Sequence, residues 1–529
     1  MPETLDALEH VAGGLIRKMS PQGVANTLYG YAALPRTATD QTRDTAMSVV
    51  PLAELEEAIE RVAPDMNSQG VASTICAYGT LGVPPSQQVI DELEAALRRV
   101  VTEMNPQHFS NIIKAYSKFG VRPMSETLDA LQQVAPGLIR KMSPQGVANT
   151  LYGYASLSRT ATDDTRDTAM SKVPLAELEE AIKRVAPDMN SQGVANTVWA
   201  YGTLGVPPSP QVIDELEAAL RRVVTDMIPQ ALSNIIWAYS KFGLRPMSET
   251  LDALKQVAPG LIRKMSSREV SNTLYGYAAL PRTAIDDTCD TTVSEVPFVE
   301  LEEAIERVAP DMNSQGVANT IWAYGTLGVP PSPQVIHVLE AGLRLVVTKM
   351  NPQALSNIIW AYWKFGLGPM PETLDALKQV APGLIRKMIP QQVSNTLYGY
   401  ASLSRTATDD TRDTAMSKMP LAELEEAIER VAPDMNSQNV ANTIWAYGTL
   451  GMPPSPQVID ELEAALRRVV TEMIPQHLSN IIWAYSKFGL WPMSDTLDAL
   501  KQMTPGLIRK MIPQQVSNTL YGYASLSRT

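Results

Sequence analysis

Several residue types are scarce in this sequence, and each shortage closes off a class of chemistry. Among 529 residues there are two cysteines, Cys76 and Cys289, and four histidines, His10, His108, His337 and His477. Two thiols exclude a disulfide framework and a cysteine-rich zinc site. The histidines stand in no ligand spacing of the H-E-x-x-H kind, so no metal is expected. There is no G-x-x-x-x-G-K-S/T phosphate loop and no nucleophile elbow, so neither an enzyme, a cofactor nor a small-molecule substrate is expected. Apolar runs are broken every few residues by Asn, Gln, Arg or Pro and never approach the roughly 20 residues of a membrane-spanning helix. Basic charge is also short: Lys+Arg 44 against Asp+Glu 56 leaves −12, which argues against an unspecific cationic coating for phosphate backbones. No segment alternates with period two, so essentially no sheet is expected.

What is present is globular, with 45% hydrophobic and 19% charged residues, and it is repetitive. A segment P/S-E/D-T-L-D-A-L recurs after Met1, Met124, Met247, Met370 and Met493, a period of 123 residues. Inside each period the signature Q-x-V/L/F-A/S-N-x-x-W/Y-x-Y occurs three times. Its Asn falls at Asn26, Asn111, Asn149, Asn196, Asn234, Asn272, Asn319, Asn357, Asn395, Asn442, Asn480 and Asn518, with Ser73 in the thirteenth slot. The spacings are 47, 38 and 38 residues, so the unit is 38 residues with nine extra in every third copy. Such a period means stacked supersecondary units, here a single array over residues 1–529 whose last 123-residue block is truncated. The leading Met1-Pro2-Glu3-Thr4-Leu5-Asp6 has no basic or apolar leader character, and no transit peptide is visible. Both ends fall inside the repeat without the polar caps a solenoid needs, so the sequence reads as a fragment of a longer product.

Each unit predicts two helices. The first starts at Ser or Asn followed by Pro, as in Asn105-Pro106-Gln107, and ends at a glycine such as Gly82, Gly120 or Gly205. The second is amphipathic, as in Ile90 to Arg98. Every third second helix carries a proline, Pro136, Pro259, Pro382 or Pro505, where a kink or break is expected. The nine-residue insert, Arg159 to Asp167 in one copy, is Thr, Asp and Arg without apolar anchors and reads as a surface loop. Acidic pairs such as Glu56-Glu57 read as a solvated helix face. The expected fold is an all-α solenoid of about thirteen two-helix repeats forming a superhelical rod, with the first helices on its inner wall.

Counting from the Asn as zero, helical geometry places −3, 0, +4 and +7 on one face. Position +4 is always Gly or Ala, leaving room for something to approach. Position +7 is small or polar and becomes Lys118, Lys241, Lys364 and Lys487 in one unit type. Position −3 varies most and includes His108, Gln392, Asn439, His477 and Gln515. A constant polar residue beside a changing one, stacked repeat on repeat, suits a protein that reads a polymer one subunit at a time. The other reading of the Asn row is a buried ladder bonded to the neighbouring helix. All 18 tyrosines lie in the signature, thirteen at +5 and five at +3, and six of the eight tryptophans lie at +3. Their expected role is packing between units, with +3 only partly buried because Cys76 and Lys114 also occupy it. From −5 to +9 the first helices hold one acid, Glu269, and six bases, a net of +5 that leaves −17 for the rest of the chain.

The 38-residue unit and runs such as Pro229-Gln230-Ala231-Leu232-Ser233-Asn234-Ile235-Ile236-Trp237-Ala238-Tyr239 resemble the octotricopeptide repeat family of algal organelle proteins. The resemblance spans the whole chain. It implies an α-solenoid that binds particular single-stranded transcripts in chloroplast or mitochondrion and promotes their stability, processing or translation. It also implies other organellar RNA-processing proteins as partners. The missing transit peptide, the inserts and the lack of a C-terminal catalytic or RNA-associated domain depart from it. On this reading RNA is held by the Asn row, the −3 residues and the four lysines. The alternative is a protein-interaction scaffold of HEAT or armadillo type, whose periods overlap this one.

Overall fold

The computed structural model describes residues 14–33, 51–119, 121–159, 173–281, 296–406 and 419–526. His10, Cys289 and all but the first residue of the Arg159–Asp167 insert lie outside the described residues. The chain divides into two compact units, Met1–Leu261 and Ile262–Thr529. Each is a stack of helix pairs in an α-solenoid, and among the described residues there is no strand.

A representative repeat shows why these residues fold this way. The first helix, Ser191–Leu204, begins behind Asn190, whose side chain accepts from the Gly193 amide at 2.8 Å. That bond satisfies one of the four amides a helix start leaves open. The helix stops at Gly205, whose φ of 73° is a left-handed terminus that costs glycine nothing. The second helix, Pro210–Val223, opens with proline in its first turn and buries Val212, Leu216, Ala219, Leu220 and Val223. A short 3₁₀ turn, Val224–Asp226, leads to the next first helix, Pro229–Phe242. The internal proline does not break the helices that carry it. Ser125–Ile139 runs on past Pro136, and Pro371–Ile385 past Pro382.

Within each unit the first helices pack side by side along their length, while the second helices meet more sparingly. Small residues permit this. A Cβ added to Gly202 would lie 2.8 Å from the Ala238 Cα, and one added to Gly448 would lie 2.7 Å from the Ala484 Cα. Gly153 and Gly399 lie equally tight against Ile113 and Ile359 of the preceding first helix. The small residues at +4 therefore make room for the neighbouring helix, not for a ligand. From Tyr78 to Tyr485 every tyrosine at +5 is buried. That position packs between units as expected.

A carboxylate clasp ties one repeat to the next. Glu217, 2% exposed, accepts from the Tyr239 hydroxyl at 2.9 Å, the Thr250 hydroxyl at 2.6 Å and the Met247 amide at 3.1 Å. Arg221 stands 3.7 Å away. Glu94 and Glu340 repeat the arrangement, and Glu463 repeats its tyrosine and backbone-amide bonds. Burial pushes the Glu94 carboxyl above its ordinary range, against hydrogen bonds from Thr127, Met124 and Tyr116 and the charge of Arg98 that hold it down. A lighter version holds the next junctions: Glu179 accepts from the Tyr201 hydroxyl at 3.4 Å and the Ser209 amide at 3.0 Å. Glu56 does the same toward Tyr78 and Ser86, so it is half-buried rather than part of a solvated face; only Glu57 beside it is solvated. At the third type of junction the matching position holds Gln132, Lys255, Lys378 or Lys501, and no carboxylate is offered.

Candidate functional site

The exposed strip of the first helices is rotated from the one the spacing suggests. In Ser191–Leu204 the exposed or half-buried positions include Gln192, Asn196 and Trp199, at −4, 0 and +3, while Thr203 at +7 marks the edge of the strip. At about 100° per residue these four fall within about 60° of arc. Positions −3 and +4 lie some 40–60° to the other side of the Asn; the neighbouring first helix covers +4, and −3 stands against its own helix start. Ala200, Ala238, Ala323 and Ala361 at +4 are all fully buried.

The −3 residues are spent on their own helix starts. At the third helical position a side chain can turn back to the cap. Gln392 and Gln515 accept from the Ile389 and Ile512 amides, both at 3.2 Å. His477, 8% exposed, faces the Ile474 amide at 3.5 Å. His108 lies 3.1 Å from the Asn105 side-chain amide. Burial lowers the basicity of both histidines, which keeps the rings neutral near pH 7. Asn439 is buried at 7%. At three Ile-capped starts, after Ile389, Ile474 and Ile512, the −3 residue is Gln or His and turns back to the cap, whereas the helix after Ile228 carries Ala231 there. Only Gln392 and Gln515 also reach the strip, donating to Gln353 and Gln476 at 2.8 and 3.1 Å.

The Asn row is in the strip. Asn111, Asn196, Asn234, Asn272, Asn319, Asn357, Asn395, Asn442, Asn480 and Asn518 are half-buried, Asn26 is exposed and Asn149 is 9% exposed. Among the described residues none of these side chains bonds to a neighbouring helix's backbone, so the row is not a buried ladder. Asn149 accepts from Lys114 at 3.0 Å, Asn357 from Gln353 at 2.7 Å and Asn518 from Gln514 at 3.2 Å. Each bond occupies the carbonyl end of the Asn amide and does not use its donor end.

Two rows beside the Asn were not legible from variability. The −4 residue is Gln in twelve of thirteen repeats, with Arg268 the exception, and every one is exposed. It stands in the signature itself, and its constancy across unit types was the available signal. The +3 aromatics form a partly open line. Tyr152 stacks on Trp199 at 4.7 Å and Trp199 on Trp237 at 6.4 Å. In the second unit Tyr398 stacks on Trp445 at 4.4 Å and Trp445 on Trp483 at 6.1 Å. These rings are half-buried, in line with the expectation that +3 is only partly buried, while the rings at +5 from Tyr78 to Tyr485 are buried.

The four lysines join the same strip. Lys118, Lys241, Lys364 and Lys487 are exposed. Lys241 lies 5.8 Å over Trp237, Lys364 5.4 Å over Trp360, and Lys487 5.6 Å over Trp483. Across positions −4, 0, +3 and +7 of all thirteen repeats there are six basic residues and no acidic one. In the first unit a polar cleft of about 490 Å³ opens between neighbouring first helices, lined by Gln107, Asn111, Gln145, Asn149, Ser110 and Lys141. Among the described residues no three metal-ligating side chains converge and no helix is long and apolar enough to cross a membrane.

Five segments, 16–28, 139–151, 177–198, 301–321 and 423–444, match a family described as a protein of unknown function, DUF1601. Each runs into a first helix and includes its Asn. No curated protein matches the chain in sequence. Among solved structures, similarity extends to a homology model of the full-length AP-3 complex, with 11% identity over 96% of this chain and 89% of that one, TM-score 0.33. It extends also to yeast importin-β (Kap95p), at 10% identity, 96% and 66% coverage and TM-score 0.39. The third is the karyopherin Kap121p bound to the SUMO protease Ulp1p, at 10% identity, 96% and 54% coverage and TM-score 0.28. The chain thus spans about half the length of Kap121p.

Proposed function

We propose that the chain binds single-stranded RNA along the first-helix strip, roughly one nucleotide per repeat, without catalysing a reaction on it. The observation that carries this reading is the strip's composition. A chain of net charge −12 keeps a surface with six bases, no acid, and a Gln–Asn amide pair in nearly every repeat. Amides read base edges through paired donors and acceptors, and half-open aromatic rings offer apolar contact to bases. Sparse lysines supply phosphate contacts without a general cationic coat. The resemblance to octotricopeptide repeats supports the same reading, and on it we place the protein in chloroplast or mitochondrion, with other RNA-processing proteins beside it. Fractionation of cells with an antibody to the chain tests that placement.

A second reading, a protein-interaction scaffold, draws on apolar side chains left open beyond some first helices, among them Leu244, Leu367, Leu490 and Trp491, each 38% to 46% exposed. Crosslinking the tagged protein in cells and sequencing any attached RNA separates the two. Recovery of a restricted set of transcripts, lost when Asn319, Asn357 and Asn442 are changed to Ala, is the expected result. Crosslinks to protein alone would favour the scaffold.

A further inference from the structure

The strip is itself periodic, and the period is three repeats. In the second unit six consecutive first helices present Tyr275, Trp322, Trp360, Tyr398, Trp445 and Trp483 at +3. At +7 the same helices carry Ala279, Thr326, Lys364, Ser402, Thr449 and Lys487, of which Ser402 is buried. The order small, Thr, Lys beside Tyr, Trp, Trp is therefore read out twice. Geometry repeats with it. The Tyr275–Trp322 and Tyr398–Trp445 centroids are 4.8 and 4.4 Å apart, while Trp322–Trp360 and Trp445–Trp483 are 6.4 and 6.1 Å apart. Lys364 and Lys487 close each set over Trp360 and Trp483, at 5.4 and 5.6 Å, although Lys364 also lies 4.3 Å over Trp363, where the second set has Ser486. The first unit shows the same short and long pair on its own, 4.7 Å for Tyr152–Trp199 and 6.4 Å for Trp199–Trp237.

A polymer threaded one subunit per repeat would meet three different +3 and +7 environments and then the matching three again, with Arg268 in place of Gln391 at −4 as the departure in the first set. Side chains of equal chemistry in equal geometry select equal bases. We propose that the RNA bound by this chain carries a tandem three-nucleotide repeat. This rests on the proposed RNA binding and adds what that RNA is. The second unit alone specifies two triplets. Residues 51–119 are different: Ser73, Cys76 and Lys114 break the pattern, so the matching nucleotides there are not held to the triplet.

The test is selection of a randomised single-stranded RNA pool by the full chain, followed by sequencing. Enriched sequences should correlate with themselves at a lag of three nucleotides over at least six positions. A second arm uses the exchange variant Thr326→Lys with Lys364→Thr, which reverses two strip positions in one set and leaves the other intact. Its selected RNAs should lose the lag-three correlation. Its affinity for the wild-type repeat should fall roughly tenfold, in the range one or two mismatched contacts produce. Enrichment of a motif without that period, or selection of the same motif by both proteins, would overturn the triplet proposal while leaving RNA binding in place. Absence of binding to any RNA by a protein with an unaltered helical spectrum would instead remove the proposed function.

Discussion

Tyr398 and Tyr400 stand two residues apart on one helix and do opposite work. Tyr400 is 6% exposed and packs between repeats, and burial raises its phenol far above the ordinary range. Tyr398 is half-buried and lies against Trp445 at 4.4 Å. The same contrast runs through the inner first helices. One side carries +4 and +5 and is closed by neighbours; the other carries −4, 0 and +3 and is largely open, with +7 exposed at the four lysines. Aromatic residues alone do not separate the faces, since both carry them; geometry does, through where the adjacent helix sits. Changes on the closed face should therefore damage stability, and changes on the open face should damage binding only.

The largest effect is expected on the closed face at Gly448. Replacing it with Val puts a side chain against the Ala484 backbone, where the Cα is 2.7 Å from the Cβ position. The cost should be about 3 kcal/mol or more, seen as an early unfolding transition in a thermal melt. A melt like the wild type's would mean the first helices have room to separate.

Next in size is the clasp. Glu217→Ala removes the acceptor for the Tyr239 and Thr250 hydroxyls and the Met247 amide, leaving buried donors unpaired. About 2–3 kcal/mol should be lost in urea unfolding. Gln132→Ala, at the matching place of a junction with no carboxylate inside the first unit, should change stability by no more than about 0.5 kcal/mol. Equal losses at the two sites would dissolve the distinction between clasped and unclasped junctions.

Alkali should act through the closed face as well. Burial first, and then nearby carboxylates, raise Tyr239, Tyr362 and Tyr485 well above the ordinary phenol range. A group whose folded pKa exceeds its unfolded value of about 10 contributes stability that is present below that pH and lost as pH rises above it. The helical signal should therefore hold to about pH 10 and then fall cooperatively. Tyrosine ionisation should coincide with that fall; ionisation of these groups without loss of helix would contradict their burial.

How much of this is legible in the sequence depends on the range of the interaction. The 38-residue period, the caps at Asn190 and Gly205 and the burial of Tyr201 follow from local patterns and the composition of a single helix. The sector of that helix that stays open does not, because a rotation of about 60° is decided by Ala238 meeting Gly202 on another helix. That is why +4 reads as clearance for a ligand until its neighbour is in place, and why −3 reads as a recognition residue when its side chain is needed at the cap. The clasp is illegible for the same reason. Glu56 reads as solvent-facing beside Glu57, yet its partners Tyr78 and Ser86 lie 22 and 30 residues further on.

A smaller, favourable effect is expected at Leu345. It is 73% exposed where Arg99, Arg222 and Arg468 donate to the carbonyls of Met66, Met189 and Met435 at 2.6 to 2.7 Å. Leu345→Arg should restore the bond and add about 0.5–1 kcal/mol in denaturant unfolding. On the open face, Asn319→Ala should move stability by less than about 0.5 kcal/mol.

The central claim is that the open face is the ligand face, and a salt titration tests it most directly. The wild-type chain and a variant with Lys118, Lys241, Lys364 and Lys487 all changed to Ala would be titrated with a randomised single-stranded RNA pool at several salt concentrations. Four phosphate contacts on a single strand predict a log–log slope of about −3 for the wild type, and a flatter slope with weaker binding to every sequence for the variant. Equal affinity and equal slope for the two proteins would contradict the account and leave the strip without a nucleic-acid role.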